Sequence, residues 1–203
     1  MYLFGASGHC KVIIDIIEIC KTFKVKAILD DNPKFQSIYG VAVLKSSDIN
    51  LIFDDFLFIT IGNNLVRKKI SLKYPLKYPV LIHPNAILSA HTSIGNGSVV
   101  MAGCVINPDV IVGNHCIVNT GTVIEHDCVL KDFVHLSPNV SLAGNVTIDE
   151  GSHLGIGCCV IQGVKIGRWA TIGAGSVIIR DVPDYAIVVG NPGKIIKYNK
   201  VNE

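Results

Sequence analysis

From Ile82 to Ile178 every sixth residue is aliphatic, running Ile82, Leu88, Ile94, Val100, Ile106 and onward to Ile166, Ile172 and Ile178. Four places after each of these, from Ser98 to Ser176, the residue is small or β-branched. A six-residue period does not fit an α-helix, which repeats at 3.6. It fits a β-helix solenoid in which each hexad turns one large and one small side chain inward. Three hexads close one triangular coil of 18 residues, so this stretch predicts between five and six stacked coils. Gly95, Gly113, Gly121 and Gly167 fall between the apolar positions, where corners need tight turns.

The first 80 residues lack this period. Tyr2–Phe4 reads as a strand, Gly5-Ala-Ser-Gly8 as a turn, and the apolar stretch to about Cys20 as a helix. Val25–Leu29 is a second strand ending at Asp30-Asp31, and Phe56–Ile61 a third ending at Gly62-Asn63-Asn64. A helix carrying Arg67, Lys68 and Lys69 follows, and Pro75, Pro79 and Pro84 punctuate the passage into the solenoid. The expected architecture is a small α/β, Rossmann-like domain over residues 1–80, then a parallel β-helix over residues 81–203. Gly5 and Gly8 at a strand-to-helix turn can present backbone N–H groups to a phosphate. An acidic residue ending the second strand can bond a ribose. A tight turn without a ligand and a solvated strand end are the alternatives. The domain is too short for a whole dinucleotide fold, which disfavours NAD.

Composition narrows the class. Only 17% of the 203 residues are charged, and mean hydropathy is +0.46. No apolar run reaches the length of a membrane span, and the N-terminal stretch, broken at Gly5–His9, is no signal peptide. A net charge of +2 gives no reason to expect nucleic acid. Seven cysteines with no C-x-x-C pair suggest reduced thiols in a cytoplasmic protein. Cys104, Cys116, Cys128 and Cys158 sit at the small inward position, so they read as packing residues.

Among the histidines, His126 follows inward Ile124 by two and faces solvent, with Gly144 as its neighbour one coil on. Acyl transfer from a thioester needs a base to take the nucleophile's proton, and an imidazole suits neutral pH. The adjacent Asp127 can stabilise the imidazolium that forms. His135 and His153 are 18 apart and should stack on adjacent coils. His83, His91 and His115 read as structural.

The hexad pattern resembles the bacterial hexapeptide acyltransferase superfamily, and that resemblance implies a left-handed β-helix. Phe4-Gly-Ala-Ser-Gly-His9 with Leu29-Asp-Asp31, Ile61-Gly-Asn-Asn64 with Arg67, and Asn119-Thr-Gly-Thr-Val-Ile-Glu-His-Asp127 together resemble one subfamily. It comprises sugar O- and N-acetyltransferases of bacterial glycan synthesis, namely sialic-acid O-acetyltransferases and PglD-like UDP-4-amino-sugar N-acetyltransferases. The resemblance implies a homotrimer acting on acetyl-CoA and a nucleotide-linked sugar, with active sites between solenoids. It implies substrate contacts at Ser7, Gly8, His9, Asp30, Asp31 and Gly62. It makes His126 the catalytic base with Asp127 raising its basicity, and places His135, Gly144, Ile156 and Ala174 along the acetyl-CoA groove. Asp127 stands where relatives carry Glu. The γ-type carbonic anhydrases, a zinc enzyme class on a similar solenoid, use a histidine pair five apart, whereas His126 and His135 lie nine apart, so no metal is expected. The expected reaction is N-acetylation of an amino-deoxy sugar. O-acetylation of a sugar hydroxyl and a non-catalytic nucleotide-sugar-binding trimer are the alternatives.

Overall fold

The structure, a computed structural model, describes residues 1–200. Positions 201–203, at the end of the expected second domain, lie outside the described residues. The N-terminal unit contains β1 (Tyr2–Phe4), α1 (Gly8–Cys20), β2 (Ala27–Asp30), β3 (Ser37–Ile38), β4 (Val41–Lys45), β5 (Leu57–Ile59) and α2 (Asn64–Lys73). Its sheet runs β3-β4-β2-β1-β5, parallel except for the β3–β4 pair. The sequence reading missed that hairpin. It turns on Tyr39 and Gly40 at φ of 48° and 77°, the positive-φ pair of a two-residue connection. Ser37–Ile38 is only two residues, and in Val41–Lys45 the apolar Leu44 is exposed beside buried Val43, so no alternation shows.

Helix α1 forms because Cys10, Ile13, Ile14 and Ile17 repeat at helical spacing and bury one face. It stops at Lys21, whose left-handed φ of 53° lets its N–H bond the Ile17 carbonyl. Gly5 before the helix stands at φ 114°, and a Cβ there would lie 2.6 Å from Cγ1 of Ile61.

The solenoid begins at Leu81–Ile82 and places a two-residue strand in every hexad through Val177–Ile178. Strands pair in parallel with those 18 residues on, giving three faces. The first face holds residues 81–82, 99–100, 117–118, 135–136, 153–154 and 171–172, and the hairpin Ala186–Val189 with Lys194–Tyr198 extends it. The second face runs from Ile87–Leu88 to Val177–Ile178, and the third from Ser93–Ile94 to Lys165–Ile166. The aliphatic ladder is buried from Val100 to Ile178. Ile82 is exposed, and Leu88 and Ile94 are only half-buried, because no coil lies beneath them. Each buried rung contributes about 1.5–3 kcal/mol of gross apolar stabilisation.

The small inward positions do more than pack. Cys104, Cys116 and Cys128 donate Sγ–H bonds to the carbonyls of Asn119, Lys131 and Ala143 at 3.0–3.1 Å. Ser98 and Ser152 do the same with Oγ. Each bond crosses to the carbonyl 15 residues on, in the next coil.

On the first face, the outward residues of the early coils are Leu81, Val99 and Ile117, all buried in one cluster with Ile13 and Ile17 of α1. The N-terminal unit therefore covers the lower part of this face. The outward ladder turns polar at His135 and His153, where the covering helix ends and a cleft begins.

Candidate active site

His126 lies on the edge between the second and third faces, after Val123–Ile124 and before Val129–Leu130. Its side chain is 61% exposed, and Nδ1 is 2.7 Å from Oδ2 of Asp127. Asp127 reaches its own neighbour because its backbone is left-handed, at φ 61°. That hydrogen bond holds the His126 pKa above the ordinary histidine value. Nδ1 is thereby engaged, which leaves Nε2 as the free nitrogen. Gly144 lies beneath the ring one coil on, and a Cβ there would come within 2.7 Å of Cε1 and 2.8 Å of Nε2. The glycine makes room for the imidazole itself. Glu125 is held by Asn107, whose Nδ2 donates to Oε2 at 2.7 Å.

A second cluster sits where the N-terminal unit meets the first face. His135 stacks on His153 with ring centroids 4.7 Å apart and planes within 10°, as the 18-residue spacing predicts. Nδ1 of His135 donates to the Gly62 carbonyl at 3.3 Å, and Nδ2 of Asn119 donates to Nε2 at 3.4 Å. Burial, with the charges of His153 and Arg67, pushes the His135 pKa down to about 3. His9 is pushed down to about 4 by burial and by Arg67, and its Nε2 is buried without a hydrogen-bond partner. A cleft of about 900 Å³ opens beside Gly62, His135 and His153 and runs to Trp169 and Tyr185.

The other expected contacts border the sheet's C-terminal ends. Ser7 and Gly8 are exposed at the start of α1, and Ser7 makes no side-chain cap. Asp30 accepts from the Ala6 N–H at 2.8 Å and the Asn32 N–H at 2.9 Å, so it shapes the turn ahead of α1. Asp31 accepts from the Ser46 hydroxyl. Ile156 and Ala174 are exposed on the edge between the first and second faces, stacked one coil apart. Within one chain, then, Gly144 accompanies His126 while His135, Ile156 and Ala174 lie elsewhere on the prism.

The sequence reading gave no role to Asn119 or to the side chain of Arg67. Both fell inside quoted motifs, but nothing in a linear pattern says which side chain crosses between domains. Arg67 is 1% exposed and anchors α2 to the solenoid. Asn64 adds bonds to the Gly151 and Ser152 carbonyls, and Lys68 pairs with Glu150.

A hexad solenoid with an exposed, carboxylate-backed histidine on one edge and a small α/β unit on one face defines the class of hexapeptide-repeat acyltransferases. Residues 1–74 match the PglD N-terminal domain, and residues 91–126 match the bacterial transferase hexapeptide (six repeats). PerB from Caulobacter crescentus, solved in complex with CoA and GDP-perosamine, is 37% identical with a TM-score of 0.89, covering 97% of this chain and 96% of that one. The acetyltransferase domain of PglB from Neisseria gonorrhoeae, in complex with acetyl coenzyme A, is 37% identical with a TM-score of 0.89, covering 96% and 98%. A 2,3,4,5-tetrahydropyridine-2,6-dicarboxylate N-acetyltransferase from Clostridium perfringens is 33% identical over 204 residues, 90% of this chain and 86% of that enzyme. Other curated relatives match over about half of their own length, 52% and 50%. The chain belongs to the PglD-like hexapeptide-repeat acetyltransferases.

Proposed function

We propose that the protein moves an acetyl group from acetyl-CoA to the amino group of a nucleotide-linked amino-deoxy sugar. The observation that carries this reading is the exposed His126 imidazole, held through Nδ1 by Asp127 with Nε2 free. The acceptor amine attacks the thioester carbonyl while Nε2 takes its proton, the tetrahedral intermediate collapses, and the CoA thiolate leaves and is protonated. Asp127 stabilises the imidazolium. No nucleophilic cysteine is needed, and Cys104, Cys116, Cys128 and Cys158 are buried.

Nucleotide-sugar recognition falls to residues 1–80 and donor binding to residues 81–203. Ser7, Gly8 and His9 receive the diphosphate at the start of α1, with Asp30, Asp31 and Gly62 bordering it. His135, Gly144, Ile156 and Ala174 line the donor groove. The GDP-perosamine bound to PerB supports a nucleotide sugar as acceptor. The tetrahydropyridine-dicarboxylate enzyme supports an amine acceptor but a different carbon skeleton.

The active unit is a homotrimer. Each chain's N-terminal unit sits on the first face, whereas His126 lies on the edge opposite that face. One chain's base therefore serves the sugar held by another, and the separated groove residues become neighbours across a solenoid interface. No helix among the described residues is long and apolar enough to cross a membrane. Seven free cysteines fit a reducing compartment, and we place the protein in the cytoplasm.

The test is thiol release from acetyl-CoA against UDP- and GDP-linked 4-amino sugars, free sialic acid and tetrahydropyridine dicarboxylate, with light scattering for the oligomer. Turnover with an amino sugar supports the reading. Turnover with sialic acid alone moves the acceptor to a hydroxyl, turnover with the dicarboxylate alone removes the sugar, and binding without turnover leaves a nucleotide-sugar scaffold.

A further inference from the structure

Among the described residues, Arg67 is the largest side chain with less than 2% exposure, yet no carboxylate lies within ion-pairing distance of it. A buried guanidinium without a counter-charge is costly unless its donors are satisfied. Here Nε donates to the His115 carbonyl at 2.8 Å, and one terminal nitrogen to the Phe133 carbonyl and Asn64 Oδ1, both at 2.9 Å. The other donates to the Ile61 and Gly62 carbonyls at 3.1 and 3.2 Å. Five N–H groups thus meet five acceptors, and the fork joins the loop after β5 to two successive coils. A lysine has three donors on one atom and cannot span that set.

One of those acceptors has a second task. The Gly62 carbonyl also receives Nδ1–H of His135. A carbonyl only accepts, so His135 carries its proton on Nδ1 there. The other ring nitrogen agrees. Asn119 accepts the Thr120 N–H at Oδ1, which fixes its amide so that Nδ2 faces His135 Nε2. An amide nitrogen only donates, so Nε2 is the acceptor. Asn63 caps α2, its Oδ1 accepting the Val66 N–H, but the hydrogen bonds made to the Gly62 carbonyl itself are those from Arg67 and His135.

We propose that Arg67 is a positioning residue for acetyl transfer, clamping the Gly62 carbonyl against His135 and so fixing that imidazole as its Nδ1–H tautomer. The charge of Arg67, close to His9, His135 and His153, acts in the same direction by disfavouring a second proton on any of them. The tautomer then keeps Nε2 as the unprotonated, acceptor nitrogen beside the cleft, where Asn119 Nδ2 already donates to it. Its catalytic consequence rests on the transferase reading above, but the tautomer does not.

The experiment is long-range 1H–15N NMR on full-length protein with 15N-labelled histidine, comparing wild type with Arg67→Lys between pH 6 and 8. The wild type should show His135 as a single Nδ1–H tautomer with no titration in this range. In Arg67→Lys the His135 pattern should become a tautomer mixture, and kcat should fall by roughly tenfold or more with a smaller change in KM. If the lysine variant does not fold, Asn64→Ala removes one acceptor of the fork and is read the same way. An unchanged His135 pattern in a folded variant overturns the proposal, as does a wild-type spectrum with the proton on Nε2. A wild type that lacks turnover but shows the expected tautomer would count against the transferase reading and not against the clamp.

Discussion

The imidazole of His126 rests over Gly144, at a spacing that a Cβ on residue 144 would violate by contact at 2.7 Å. The exposed ring can swing away more cheaply than the coil can deform. Gly144→Ala should therefore lower kcat by about 10–100-fold while leaving the melting temperature within a few degrees of wild type. Steady-state kinetics beside a thermal melt reads both. A large loss of stability would mean that the coil, not the base, carries the glycine.

His126→Ala should reduce turnover by about 10²–10⁴-fold with little change in folding, because the side chain faces solvent. The base must be neutral to act, so kcat/KM rises with pH through the His126 pKa, which lies above the ordinary value near 6.5. Asp127→Asn removes the interaction that raises it, and the acid limb of the profile should move to lower pH with a reduced plateau. A limb that stays in place in Asp127→Asn would assign it to another group.

Asp30 holds two backbone N–H groups ahead of and beyond β2. Asp30→Ala leaves both without their acceptor and should cost about 1–3 kcal/mol of stability. The turn from Gly5 to Gly8 loosens with it, so KM for the nucleotide sugar should rise while KM for acetyl-CoA stays near wild type. Chemical denaturation and two-substrate kinetics separate the effects, and an equal rise in both KM values would contradict the division of labour between domains.

His9 and His115 are held down to about 4, and His135 to about 3. Burial is the main cause in all three, so each is neutral in the folded state where an unfolded histidine is charged. Between pH 6.5 and about 4 the unfolded chain binds more protons, and stability falls as pH falls. The melting temperature should drop progressively across that window. His115→Phe, which preserves a ring against Phe133 and Tyr78, should flatten part of the drop. An unchanged slope would place the acid sensitivity elsewhere.

Much of this was legible in the chain. The ladder from Val100 to Ile178, the small positions at Ser98 and Cys104, and the stacking of His135 on His153 all follow from one period. The β3–β4 hairpin did not, because β3 is two residues and β4 exposes the apolar Leu44 next to buried Val43, which breaks the alternation a strand would show. Nor did the bonds from Cys104, Cys116 and Cys128, since a packing pattern records size and not the direction of an S–H.

By itself the sequence determined the repeat, the α/β unit ahead of it and the exposure of His126, because periodic burial is a local property that every coil imposes on its own residues. Only the tertiary structure decided which face the N-terminal unit covers. Leu81, Val99 and Ile117 take the face of α1, and Arg67 then closes on carbonyls from two coils. Those carbonyls belong to the backbone and leave no mark in the order of side chains. The neutral His135 and the buried His9 nitrogen follow from that docking, which depends on two surfaces meeting.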